Sequence, residues 1–248
     1  MKVNKKLIQS LGVLIFLTLA SCNGVPVADV ENCVMPQESI LELKNVTSDN
    51  LLNAKADPSD NTDNTDSNQP ELPPRDCVIP PKAVGADLEI NAKLMKFDET
   101  QEAKMREALI RLKRIVNSEL FKERVLAHTY NGEQRFVDND GLTNEEIYYK
   151  IMEGAETLLP DVDREMDLDI ELYYSSRNVV GYTYPNVLQI WVNKKYFNTN
   201  SYGAVAANVI HEWTHKLGFG HAYNRTSSRP YSVPYGVGTI MKELVNDM

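Results

Sequence analysis

Asn208-Val209-Ile210-His211-Glu212-Trp213-Thr214-His215-Lys216-Leu217-Gly218-Phe219-Gly220-His221 holds three of the four histidines in a chain of 248 residues. His211 and His215 are four positions apart, so on a helix they share one face a turn apart and both imidazoles can reach a single metal ion. Glu212 lies between them, placed to accept a proton from a water at that metal rather than to ligate it. Gly218 is suited to end the helix, because a residue without Cβ enters the left-handed conformation freely and turns the chain. That turn would bring His221 back as a third ligand. Three protein nitrogens with a fourth position left for water is the layout of a catalytic zinc site, whereas structural zinc is closed by four protein ligands.

His211-Glu212-x-x-His215-x-x-Gly218-x-x-His221 resembles the extended H-E-x-x-H-x-x-G-x-x-H signature of the metzincin zinc endopeptidases. The resemblance implies an α+β catalytic domain over residues 86–248. It further implies a mixed, mainly N-terminal sheet, a long backing helix, an active-site helix and a short C-terminal subdomain. One Zn(2+) per chain, a protein or peptide substrate and Glu212 as general base follow from the same likeness. A metzincin also places a methionine-containing turn beneath the metal. Met241 is the candidate, after the turn-rich run of Pro234, Gly236 and Gly238, with Lys242 to Met248 as a terminal helix; ordinary core is the other reading of Met241. Ala222 after the third histidine and Glu243 two places after Met241 depart from the familiar subfamilies. Tyr231 and Tyr235 precede Met241 and serve either packing or a developing oxyanion.

The chain carries 26 Lys and Arg against 35 Asp and Glu, a net charge of -9. That balance argues against nucleic acid and anionic headgroups as partners. Lys2, Lys5 and Lys6 followed by the apolar run Leu7 to Leu19 read as a targeting segment over residues 1–21. Leu19-Ala20-Ser21-Cys22 resembles a bacterial lipobox, which implies lipidation of Cys22 and anchorage in the cell envelope, at the outer membrane if the cell is Gram-negative. The alternatives are an ordinary secretory signal cut nearby and an uncleaved anchor, which the short apolar run disfavours. The membrane would be met through this lipid only, and the catalytic unit is expected to be a monomer.

Residues 22–85 read as a lipidated, largely disordered acidic tether, because the stretch Asp57 to Pro74 has too little apolar surface to offset the entropy of ordering. In an oxidising compartment Cys33 and Cys77 are expected to form a disulfide. The alternative is latency through Cys77, since Pro74 to Pro80 is loosely similar to the matrixin propeptide motif, with Asp76 inserted and the following glycine missing.

Beyond residue 86, Asp87 to Phe97 alternates loosely and is either a first strand or an approach to a helix. Asp98 or Thr100 caps a long amphipathic helix reaching about Ala127, with Met105, Leu109, Leu112, Val116, Leu120 and Val125 on its buried face. His128 has a helix-end or surface role. Asp138-Asn139-Asp140-Gly141 is a turn, lacking the ligand spacing of an EF-hand. Thr143 and Glu146 form a capping box, which predicts a helix from Asn144 to Leu158. Leu168 to Tyr174 is a strand, and Asn178 to Tyr184 with Val187 to Val192 form a hairpin. By the resemblance, one arm of it would pair with extended substrate; an ordinary edge shielded by Lys194 and Lys195 is the other reading. Ser201 caps the motif helix, Tyr202 to Leu217. Against the hydrolytic reading stands a non-catalytic surface lipoprotein that binds zinc or a partner.

Overall fold

The structure is a computed structural model that describes residues 45–48 and 80–248. The targeting segment, Cys22, Cys33 and Cys77 lie outside the described residues, as does most of the stretch read as a tether. Within that stretch, however, Asn45–Ser48 forms strand β1.

The elements that follow are β2 (Glu89–Met95), helices α1 (Glu99–Val116), α2 (Glu119–Leu126) and α3 (Asn144–Glu153), β3 (Glu165–Tyr173), β4 (Gly181–Thr183) and β5 (Gln189–Asn193). A short α4 (Lys194–Phe197), α5 (Tyr202–Lys216), a 3-10 turn (Arg229–Tyr231) and α6 (Val233–Asn246) complete the chain. The strands form one mixed sheet in the order β1-β2-β3-β5-β4. β1, β2, β3 and β5 run parallel, and β4 closes one edge antiparallel to β5 with Tyr182 opposite Trp191. The α+β class expected from the sequence therefore holds at the level of a mixed sheet with packed helices.

Period-two patterning explains the sheet. Ile90, Ala92 and Leu94 of β2, Met166, Leu168, Ile170 and Leu172 of β3, and Ile190 and Val192 of β5 are buried on one face. Polar residues alternate with them, as a strand with one packed face requires. Asp87 to Phe97 thus resolves as a strand. Against it α1 buries Met105, Leu109, Leu112 and Val116.

The long helix expected to reach Ala127 is two helices. Asn117 breaks it: its side-chain amide donates to the Leu88 and Lys113 carbonyls, and its Oδ1 accepts from the Leu88 amide. Ser118 then caps α2 by accepting from the Phe121 amide. Periodicity continues across the break, but these polar side chains bind backbone that helix would otherwise leave to itself.

The expected capping box of Thr143 and Glu146 starts α3, which ends five residues short of Leu158. Gly154 stops it with φ of 73°. A Cβ there would lie 2.5 Å from the Glu165 carbonyl oxygen, so the turn packs on the start of β3 and admits only glycine.

The methionine-turn candidate, Met241, does not lie in a turn. Met241 is buried inside α6, and Pro234, Gly236 and Gly238 lie in that helix instead of preceding it. The glycines mark close approach. A Cβ on Gly238 would stand 3.2 Å from the Ala207 carbonyl oxygen of α5, and one on Gly236 would strike Phe136. Glycine costs a helix about 1 kcal/mol relative to alanine; contact between α5 and α6 offsets that loss.

Candidate metal centre

Helix α5 carries the motif. Ser201 accepts from the Ala204 amide at its start, as expected. Its end is a Schellman turn: the Gly218 amide bonds the His215 carbonyl at 3.1 Å and the Phe219 amide bonds that of Thr214 at 3.2 Å. Gly218 has φ of 98°. The chain reverses here and returns His221 to the helix, as the spacing predicts.

His211, His215 and His221 form a group able to hold a metal ion, their donor atoms all within 4.8 Å of one another. Ring centroids are 5.1 Å apart for His211 and His215, 5.3 Å for His211 and His221, and 4.9 Å for His215 and His221. Each ring has a backbone carbonyl beside it. His215 Nδ1 lies 2.7 Å from the Phe219 oxygen and His221 Nδ1 lies 3.2 Å from that of Ala222. The Pro234 carbonyl serves His211. A carbonyl only accepts, so it holds a proton on the ring nitrogen facing it and leaves the other lone pair for a metal. Burial, followed by the neighbouring His215 and His221, drives His211 down to about 3; burial also lowers His215. Neutral imidazoles are what a divalent transition metal requires.

Glu212 is 5% exposed. Desolvation pushes its carboxyl up to about 8, against the pull of the Lys216 charge. A proton acceptor whose affinity lies near neutrality suits general base work.

Three residues not singled out in the sequence support this centre. Lys216, 2% exposed, donates to the carbonyls of Tyr184, Val187 and Gln189, at 3.2 Å and 3.3 Å for the first and last. It thereby ties the β4–β5 loop to the metal helix. Glu156, 1% exposed, accepts from Trp213 Nε1 at 2.6 Å and from the Asp167 amide at 3.1 Å, while its other oxygen has no partner. Neither residue stands out by pattern, because a lysine next to a histidine and a single glutamate near the end of the helix expected from Asn144 to Leu158 are ordinary. The third, Arg229, lies over the ring of Tyr235, with Cζ 4.8 Å from its centroid. Tyr235 in turn is 4.5 Å from His211 and 4.8 Å from His221 between centroids. Tyr231 packs at a tilt against Tyr130 and His128 instead. His128 is a packing residue, stacked on Phe136 at 3.9 Å.

Glu156 supplies a pH test. Burial raises its carboxyl from 4.5 to about 7, against the hydrogen bonds from Trp213 and the Asp167 amide. The folded chain therefore holds more protons than the unfolded chain between those values. The stability gained from the neutral acid is complete below pH 4.5 and is lost as pH rises through 7. Glu156→Gln removes the titration. Wild type is expected to lose about 2 kcal/mol relative to this variant between pH 5 and pH 8 in denaturant melts followed by Trp213 fluorescence; parallel profiles would refute it.

Strand β4 stands at the sheet edge, as expected for one arm of the hairpin, with Gly181 set against the Asn208 side chain of α5. No protein-family model matches the chain, and neither a curated protein nor a solved structure matches it.

Proposed function

We propose that the chain is a metzincin-like zinc endopeptidase, tethered to the bacterial cell envelope by a lipid on Cys22. The observation that carries this reading is the histidine triad, its donors within 4.8 Å of one another, with the buried carboxylate of Glu212 one residue from His211 on the same helix. The donor set fits zinc: three imidazoles, each with a backbone carbonyl beside it, and no thiolate among the described residues to close the sphere.

A zinc ion held by His211, His215 and His221 would supply a Lewis acid able to bring the pKa of a water to about 7 and to polarise a carbonyl. Glu212 then takes the proton of the attacking water and delivers it to the leaving amine. His211, His215 and His221 would hold the ion, each ring oriented by the backbone carbonyl beside it. Lys216 fixes the hairpin loop, and with it the edge strand β4, relative to the metal helix. An extended peptide would add to the free edge of β4 by main-chain hydrogen bonds, which set its direction across the site.

Binding without catalysis has less support, since a binding site has no use for a desolvated carboxylate that costs free energy to bury. The purified full chain is expected to contain one zinc per molecule and to cleave casein, with cleavage abolished by a chelator and restored by zinc. Zinc without cleavage would favour the binding protein, and absence of zinc would refute both readings.

A further inference from the structure

The wall that leads away from His221 differs in charge from the rest of the chain. Between Glu212 and Glu243 there is no Asp or Glu, in a sequence that has 35 of them; the charged residues of this interval are Lys216, Arg225, Arg229 and Lys242. Arg229 is the one whose guanidinium lies against the metal centre, separated from it by the ring of Tyr235.

Its backbone is held in place. The Arg229 amide donates to Thr226 Oγ1 at 3.2 Å, and the Arg229 carbonyl accepts from Ser232 Oγ at 2.8 Å. Its guanidinium is under-used. Nη1 reaches the Tyr223 carbonyl at 3.3 Å, Nε is buried without a partner, and no carboxylate pairs with the group among the described residues. Guanidinium offers five N–H donors in a planar fork that matches a carboxylate with two parallel bonds. A half-buried cation with one long hydrogen bond, held over an aromatic ring, is preorganised for such an anion. Among the described residues no acidic side chain pairs with it, which leaves the fork open to a carboxylate that arrives with a ligand.

We propose that Arg229 is a specificity-determining residue that receives a carboxylate of the peptide substrate beside the scissile bond. The inference rests on the peptidase reading and adds the substrate class to it. Two sources carry the same chemistry: the side chain of Asp or Glu, and the free C-terminal carboxylate of the peptide.

Two synthetic peptide libraries separate them. The first contains Asp and Glu and has amidated C-termini; the second contains Asn and Gln instead and has free C-termini. Both are incubated with the zinc-loaded full chain, and cut sites are read by mass spectrometry. The expected result is an enrichment of about tenfold or more for a carboxylate at one fixed position from the cut. In the first library this is an acidic side chain; in the second it is a constant distance to the chain end. Arg229→Gln should bring the enrichment close to unity, and Arg229→Lys should retain part of it, since a point charge lacks the fork. Zinc content is measured on each variant, and Arg229→Lys carries the comparison if Arg229→Gln loses metal. Cutting without carboxylate preference in either library, or a preference that survives Arg229→Gln, overturns the assignment while leaving the peptidase intact. Libraries left uncut by the zinc-loaded wild type overturn the peptidase reading, and this inference falls with it.

Discussion

Glu212→Gln is expected to keep one zinc per chain and to lose peptide hydrolysis by a factor of about 100 to 10,000 in kcat, the range associated with removing a positioned general base. The amide has nearly the same shape as the carboxylate. It therefore leaves the helix, the three imidazoles and their carbonyl partners undisturbed, and the metal should remain. What it lacks is a proton acceptor. Along the chain the nearest other carboxylates are Glu171 and Glu243. The buried carboxyl is also held near 8 by desolvation, so the neutral amide relieves a burial cost and the variant should be at least as stable as wild type. Zinc analysis beside a casein assay reads both quantities. Undiminished cleavage by the zinc-loaded variant would sink the mechanism.

His215→Ala should lose zinc and hydrolysis together. His215 is the middle member of the candidate ligand trio: its ring lies within 5.1 Å of both other rings and is oriented by the Phe219 carbonyl at 2.7 Å. Removing a supporting hydrogen-bond partner from a metal ligand weakens metal binding by roughly 10–100-fold. Removing the ligand itself takes one of three donors and should exceed that. The variant separates two explanations of chelator sensitivity. If the metal only stabilised the fold, His215→Ala would unfold near 25 °C; if it serves catalysis, far-UV circular dichroism should stay native while zinc content and cleavage fall to background. Cleavage surviving with zinc lost would show that another centre does the chemistry.

The two variants differ at neighbouring places on one helix, and their contrast was legible from the motif alone. A helix repeats every 3.6 residues whatever surrounds it, so the separation of His211 and His215, the exclusion of Glu212 from the ligand set and the return of His221 after Gly218 were local facts. The same holds for the Thr143 and Glu146 capping box, the Ser201 cap and the alternation of β3. Each is decided by atoms within a few residues.

Where expectation and structure part, the cause is a contact between residues distant in sequence. Apolar periodicity runs on through Asn117 and Ser118, yet the helix stops because Asn117 binds Leu88, 29 residues away. Glycines at 236 and 238 suggested a turn, but their missing side chains admit α5 at Ala207 and the Phe136 ring, so the segment is helix and Met241 is core. Gly154 ends α3 early because Glu165 occupies the space a side chain would need. The parallel placement of Asn45–Ser48 beside β2 is of the same kind, since nothing in four residues of strand names a partner in the rest of the chain.

By itself, then, the sequence determined the candidate ligand trio, the carboxylate beside it and the helix that carries them, because helix geometry converts spacing into direction without outside help. Tertiary structure decided what surrounds them. The carbonyls that orient each imidazole, the lysine that clamps the hairpin loop, the glutamate buried against Trp213 and the arginine facing Tyr235 depend on where separate segments meet. Such meetings are governed by shape and by the need to pair every buried polar group, neither of which is written in any one stretch of residues.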